Sequence, residues 1–169
     1  IRNIVNEAAL WAARNDKTRV EMEDFEYARD KVLMGPKREE VLLDEEKKKT
    51  AYHEAGHALT AWILPHADRV HKISIVSRGN MGGHTSLLPN EDRYLWTKNQ
   101  FGDMLSVMMG GRVAEEMIFS EVTTGASNDL ETATHIARSM VTRYGMSAKL
   151  GPRTFGKREE LVFLGREIS

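Results

Sequence analysis

The motif His53-Glu54-Ala55-Gly56-His57 constrains this chain more than any other stretch of its sequence. It lies in a segment, from Asp44 to Pro65, whose apolar residues recur at helical spacing. Two histidines four residues apart share one helical face, so their imidazoles can bind one zinc ion. Glu54 lies between them and can reach a water at an open coordination position. The motif predicts metal-assisted amide hydrolysis with Glu54 as general base and acid.

The same five residues can also occur by chance on a charged helix, with both histidines in solvent. Two features of the segment favour the zinc interpretation. Pro65 gives the helix a defined end. Gly56 costs about 1 kcal/mol relative to alanine inside a helix, so a packing reason for a glycine is expected there.

Composition narrows the possible metal ligands and partners. The sequence contains no cysteine, which excludes disulfides, cysteine zinc ligands and thiol catalysis. Histidine and carboxylate side chains remain as ligands. A net charge of −1 over 169 residues gives no reason to expect nucleic acid as a partner. No apolar run approaches about 18 residues, so we expect no membrane span and a soluble chain.

The remaining sequence predicts a mainly α fold, a helical array with a small β-ribbon. Two short helices, at 1–14 and 22–34, precede the zinc-motif helix. Alternating residues then predict a strand at 70–77 and a returning strand at 84–88. Two longer helices complete the pattern. The first opens with a capping box at Thr97 and Gln100 and contains Gly110-Gly111, which predicts a tight crossing or a kink; the second runs from about 128 to 144.

A catalytic zinc site needs a third protein ligand, and the sequence leaves several candidates. The metzincin pattern is excluded, because Thr60 and Ile63 occupy the positions where it requires glycine and histidine. The candidates are His66, His71, His84, Glu91, Glu115, Glu116 and Asp129.

Asp129 has the most favourable local setting among these. Asn128 can cap a helix, with Glu131 completing a capping box, which places Asp129 in the first turn. The helix dipole favours an ionised carboxylate there. Asp129 can equally be an ordinary first-turn residue. Glu115 and Glu116 can be ligands, or they can act from outside the metal centre, as outer partners of a ligand or in an ion pair with Arg112 or Arg138.

Several longer strings identify a resemblance that covers nearly the whole chain. They are Asn6-Glu7-Ala8-Ala9-Leu10, Asp30-Lys31-Val32-Leu33-Met34-Gly35, Thr50 to Ala58, Gly110 to Glu116, Thr124 to Asp129, Met140 to Ser147, and Leu150-Gly151-Pro152. With these strings the chain resembles the FtsH-type ATP-dependent zinc proteases, which are membrane-anchored.

The resemblance implies a site and a domain arrangement. The third zinc ligand is expected to be Asp129, beside His53 and His57, with one zinc per subunit and Glu54 as the catalytic residue. Residues 1–36 are expected to end the helical lid of an ATPase module. Residues 37–169 are expected to form a zinc metallopeptidase domain that is incomplete at its C-terminus.

The resemblance also implies properties of a longer protein. That protein is expected to be a homo-hexamer that processively degrades unfolded or misfolded proteins. Its protease domain is expected in the cytoplasm or an organelle interior, with the membrane reached only through N-terminal segments outside this chain. ATP and Mg²⁺ are expected only in the ATPase domain, because this sequence has no phosphate-binding loop. The alternative is a non-catalytic, metal-stabilised module for hexamer assembly, which would not need Glu54.

An unfolded substrate is expected to pair with an exposed edge of the ribbon, because backbone groups are the same in every peptide. We place this edge at Gly82, Gly83, His84 and Thr85, where the glycines permit close approach. The alternative is that the glycines serve only the hairpin turn.

Overall fold

The structure is a computed structural model and describes residues 1–38, 43–79, 82–89 and 93–156. Within these ranges the chain forms five α-helices, one 3₁₀ turn and a two-stranded antiparallel ribbon. In chain order they are α1 Arg2–Arg14, α2 Met22–Met34, α3 Asp44–Ile63, β1 Arg69–Ser74, β2 His84–Leu88, α4 Lys98–Phe119, the 3₁₀ turn Thr124–Ala126, and α5 Ser127–Thr142. The prediction of a mainly helical fold with a small ribbon is confirmed. None of the helices in these ranges is long and apolar enough to cross a membrane.

The first two helices pack against each other through small and aromatic residues. Ala8 and Ala28 are fully buried, and small side chains let two helices approach closely. Trp11 stacks on Tyr27 with the ring centroids 3.6 Å apart. Both helices match their predicted spans to within one residue, because each has an apolar stripe bounded by turn residues.

A buried ion pair joins this helix pair to the ribbon. Asp30 is 1% exposed, and its carboxylate accepts hydrogen bonds at 2.8 Å from Lys72 on β1 and from Arg29. Burial alone would raise the pKa of Asp30, but the hydrogen bonds from Lys72 and Arg29 outweigh burial and lower it. The carboxylate therefore stays charged in the interior, where a charge needs partners.

Helices α3 and α4 cross at two glycines. A Cβ added to Gly56 would lie 2.3 Å from the carbonyl oxygen of Gly110, and one added to Gly110 would lie 2.6 Å from that of Gly56. The crossing therefore requires glycine on both helices, which explains the costly Gly56 in the motif. The capping box of α4 forms as predicted: Thr97 Oγ1 accepts from the Gln100 amide, and Gln100 Oε1 accepts from the Thr97 amide.

The ribbon lies against α3 and pairs Ile73 with Thr85. Strand β1 ends three residues earlier than predicted. The chain then turns back towards the segment after α2, where the Ser77 carbonyl accepts from the Arg38 amide at 2.9 Å. Among the described residues, no strand pairs with the outer edge of β2.

Candidate metal centre

Side chains from α3 and α5 converge on a single point. Nε2 of His53 and Nε2 of His57 are 3.0 Å apart. Oδ2 of Asp129 lies 3.4 Å from each of these nitrogens. Both histidines are buried, while Asp129 is partly exposed. The structure thus brings together the three residues that the resemblance implied as ligands and positions them for metal binding.

Hydrogen bonds on the far side of each ring fix the tautomers of the two histidines. Nδ1 of His57 donates to the Val107 carbonyl at 2.7 Å, and Nδ1 of His53 donates to Oε1 of Glu115 at 2.6 Å. Carbonyl and carboxylate oxygens accept, so each Nδ1 carries the proton and each neutral ring has its lone pair on Nε2. Two lone pairs and a carboxylate oxygen therefore face one another, an arrangement that a cation between them stabilises.

The electrostatics of the cluster favour positive charge. Burial alone would raise the pKa of Asp129, but hydrogen bonds from the protonated forms of His53 and His57 outweigh burial and lower it to about 2. Burial likewise opposes the charged form of each imidazole. Hydrogen bonds to Asp129 nevertheless raise the pKa of both histidines. A second bond acts in the same direction on each ring: His53 bonds to Glu115, and His57 bonds to the Val107 carbonyl.

Zinc fits this set of donors. Three donors about 2.0–2.2 Å from a tetrahedral centre lie roughly 3.3 Å apart, close to the 3.0 Å and 3.4 Å separations in the structure. Two imidazole nitrogens and one carboxylate oxygen leave the fourth position open, as in catalytic sites. A Cβ added to Gly111 would lie 2.6 Å from Nε2 of both histidines. Glycine at this position of α4 therefore leaves the space that an ion needs.

Asp129 reaches the centre from the first turn of α5, as predicted. The helix N-terminus there favours its ionised carboxylate. The predicted cap is wrong: α5 begins at Ser127 directly after the 3₁₀ turn, so Asn128 lies inside the helix, and no side chain caps it. A side-chain cap is found instead one turn earlier, where Thr123 Oγ1 accepts a hydrogen bond from the Gly125 amide at the start of the 3₁₀ turn.

Glu115 is an outer partner of the cluster, one of the two roles that the sequence had left open. Its side chain is 3% exposed. While Oε1 accepts from His53, Oε2 accepts from the Thr123 amide at 2.8 Å. Glu115 thereby joins a metal-facing ring to the loop that leads to α5, and such outer contacts orient metal ligands.

The other candidates for the third ligand lie outside this cluster. His66 bonds to Asp103 on α4, and His71 bonds to an arginine of α2. Glu116 is exposed, and Glu91 lies outside the described residues. Across the ranges that the structure describes, the cluster on α3 and α5 is the one group of three such donors.

Glu54 is buried beside the centre but is not one of its three donors. Its Oε2 accepts a hydrogen bond from Thr85 Oγ1 on β2 at 2.7 Å. Burial raises the pKa of Glu54, and the hydrogen bond from Thr85 opposes that shift without cancelling it. The bond between these two side chains was not predicted, because they are separated by 31 residues and no local spacing indicates their contact.

Gly82 and Gly83 lead into β2 beside α3. A Cβ added to Gly83 would lie 2.8 Å from the Ser74 carbonyl oxygen of β1, 2.8 Å from Thr50 Cγ2 and 3.0 Å from Glu54 Cγ, so this glycine serves the hairpin as well as the contact with α3. A Cβ added to Gly82 would meet Thr50 Oγ1 at 3.7 Å, an ordinary contact. Glycine at position 83 therefore allows the ribbon to approach the helix that carries the metal-binding motif, and glycine at position 82 is not needed for that approach.

His84 and Thr85 point to opposite faces of β2. Thr85 bonds to Glu54, whereas His84 is 9% exposed and its Nε2 has no hydrogen-bond partner among the described residues. Burial lowers the pKa of His84, whose neighbouring charges include Asp30 and Lys72. The His84 imidazole is thus directed away from the metal centre.

The sequence of this chain is similar to those of known proteins along its whole length. Residues 40–169 match the model of peptidase family M41. The chain is 60% identical over 170 residues to the ATP-dependent zinc metalloprotease FtsH 1 of Sphaerobacter thermophilus, covering 100% of this chain and 26% of that protein. It is 60% identical over 168 residues to FtsH 1 of Rhodopirellula baltica, covering 99% and 25%. The resemblance seen in the sequence is confirmed, and the chain spans about a quarter of the length of these curated relatives.

Proposed function

This chain belongs to peptidase family M41 and is a metalloprotease domain, and from that premise we propose that it hydrolyses peptide bonds at a zinc centre formed by His53, His57 and Asp129. The observation that carries the proposal is the convergence of two imidazole lone pairs and one carboxylate oxygen at 3.0 Å and 3.4 Å. A purely structural zinc site has four protein ligands, whereas this cluster offers three and has a buried carboxyl group beside it.

Each residue has a distinct role in the proposed reaction. Zinc bound at this position would supply Lewis acidity and lower the pKa of a coordinated water towards about 7. His53 and His57 present Nε2 to the ion, held by Glu115 and the Val107 carbonyl on their far sides. Glu54 takes a proton from the attacking water and returns it to the leaving amine.

We further propose that an extended substrate pairs with the outer edge of β2, at Gly82, Gly83, His84 and Thr85. No strand pairs with that edge among the described residues. The hydrogen bond from Thr85 to Glu54 places β2 next to the proposed general base. Main-chain pairing suits unfolded proteins, because every peptide offers the same donors and acceptors.

Peptides that carry one N-methylated backbone amide each would test this edge. Strand pairing predicts that KM rises when methylation falls on alternate residues, because alternate amides point to the same neighbouring strand. A KM that responds equally at every position, or at none, would place the substrate elsewhere.

For the longer protein we propose an ATP-dependent, processive and membrane-anchored homo-hexamer that degrades unfolded or misfolded proteins. The relatives are named ATP-dependent zinc metalloproteases, which supports the ATP dependence. We propose residues 1–36 as the end of the ATPase lid and 37–169 as the metallopeptidase domain, with ATP and Mg²⁺ bound in the ATPase domain. Mass measurement of the full-length protein in solution, with and without ATP, tests the hexamer.

The decisive variant for the proposed reaction is Glu54→Gln. We expect it to retain zinc and to lose at least about 100-fold in peptide hydrolysis, the usual contribution of acid–base catalysis. Glu116→Gln is the matched control, because it makes the same change at an exposed carboxylate on α4. Hydrolysis near the wild-type rate by zinc-loaded Glu54→Gln would contradict the proposed reaction and favour the assembly role.

A further inference from the structure

We propose that Thr85 is a positioning residue for Glu54: its hydroxyl holds the Glu54 carboxylate in one orientation beside the metal centre. The inference rests on the proposed function of Glu54 as general base. It assigns to Thr85 a side-chain role that is separate from any backbone contact with substrate.

The contacts of Glu54 carry the inference. Among the described residues, the hydrogen bond from Thr85 Oγ1 at 2.7 Å is the one that the Glu54 carboxylate accepts. Glu54 is 6% exposed, so water has little access to replace that bond. A glutamate side chain has several freely rotating bonds, and a single short hydrogen bond to a charged oxygen restricts them. Without it, the carboxylate would have no fixed orientation.

The Thr85 hydroxyl has a second acceptor within reach, which defines the competing explanation. The backbone carbonyl of Glu54 lies 3.0 Å from Thr85 Oγ1. A hydroxyl donates one proton, and the carboxylate is both closer and charged, so it is the stronger acceptor. The carbonyl also lies within α3, where the helical hydrogen-bond ladder already engages it. If the carbonyl were the acceptor, Thr85 would only tie the ribbon to the helix.

The position of Thr85 is itself fixed by the ribbon. It pairs with Ile73 of β1, and Gly83 lets the strand lie close to α3. A threonine suits a strand because its branched side chain has few rotamers. Strand β2, which is proposed to bind substrate, therefore also orients Glu54. The bound substrate and the general base would then keep a fixed position relative to each other.

Three variants of the full-length protein test the kinetic consequence. In Thr85→Val the hydroxyl is lost and the shape is kept; we expect kcat for a short peptide to fall by about 10- to 100-fold, with KM and zinc content unchanged. In Thr85→Ser the hydroxyl is kept, and we expect kcat to recover to within roughly threefold of wild type. Thr60→Val is the control, because it removes a hydroxyl that bonds at 2.7 Å to the Gly56 carbonyl on the same helix.

A double-mutant cycle on the zinc-loaded full-length protein tests the contact without any activity measurement. If Thr85 bonds to the Glu54 carboxylate, the shift in urea midpoint caused by Thr85→Val will shrink by at least about half in a Glu54→Ala background. An equal shift in both backgrounds means that the hydroxyl serves the backbone carbonyl, and this overturns the proposal.

A Thr85→Val variant with wild-type kcat also overturns the proposal. Should Thr85→Val fail to fold, Thr85→Ala is measured in its place by the same two assays. Failure of the proposed function is distinguishable, because a zinc-loaded wild-type protein would then hydrolyse no peptide while the cycle still reports the Thr85–Glu54 contact.

Discussion

Replacing Gly111 with alanine tests whether α4 sets the space inside the metal centre. The new Cβ would lie 2.6 Å from Nε2 of His53 and of His57, whereas real Cβ contacts essentially never fall below 3.0 Å. The rings or the helix must therefore move by at least about 0.4 Å, and zinc–ligand distances tolerate only about ±0.2 Å. The helix cannot retreat freely, because hydrogen bonds from His57 to the Val107 carbonyl and from His53 to Glu115 tie α4 to both rings.

The expected loss of zinc affinity follows from this displacement. Removing an outer partner of a metal ligand costs about 10- to 100-fold in affinity. Moving two ligands directly should cost at least the upper end of that range, about 100-fold or 2.7 kcal/mol. Competition with a chelating dye measures the zinc Kd, and circular dichroism checks that the helices persist.

Gly102→Ala is the matched control on the same helix. A Cβ at this position meets nothing within 4 Å. We expect unchanged zinc affinity and a free energy of unfolding raised by about 0.5–1 kcal/mol, because alanine is the better helix former. A Gly111→Ala variant whose zinc Kd stays within about threefold of wild type would refute this account of the centre.

Three further predictions follow from other contacts. Metal analysis should find zinc lost from Asp129→Ala but largely retained by Glu115→Ala; the reverse pattern would move the third ligand to α4. Gly56→Ala should lower the free energy of unfolding by about 2 kcal/mol or more in urea titrations, because its Cβ would lie 2.3 Å from a backbone oxygen; an unchanged midpoint would contradict the tight crossing. Burial alone would raise the pKa of Asp30, but Lys72 and Arg29 lower it. Its carboxylate therefore adds stability above its ordinary pKa of about 3.9 that is lost as the pH falls. Asp30→Asn should then lose less stability than wild type between about pH 6 and pH 3, and an equal loss would contradict this.

Local patterns in the sequence predicted the elements well. Strand β2 and helix α2 have the predicted bounds, because turn residues and glycine flank the ends of both elements. The capping box at Thr97 and Gln100 placed the start of α4 correctly. Gly110-Gly111 in the middle of that helix predicted a tight crossing or a kink, since a costly residue inside a helix needs a packing reason, and the structure shows the crossing.

Contacts between distant segments explain what local patterns did not predict. Strand β1 is shorter than its alternating residues suggest, because the chain turns back to the segment after α2. The start of α5 depends on a 3₁₀ turn capped by Thr123, which the predicted cap at Asn128 did not anticipate. The role of Glu115 could only be narrowed to two options until its two acceptor oxygens were seen to bridge His53 and Thr123.

A crystal grown with zinc and measured at the zinc absorption edge tests the central claim most directly. The account predicts one anomalous peak per chain, about 2.0–2.2 Å from Nε2 of His53, Nε2 of His57 and a carboxylate oxygen of Asp129. Glu54 should lie outside this ligand distance, with its carboxylate bonded to Thr85. A peak ligated by Glu115 or Glu54 instead of Asp129, or no peak between the two histidines, would contradict it.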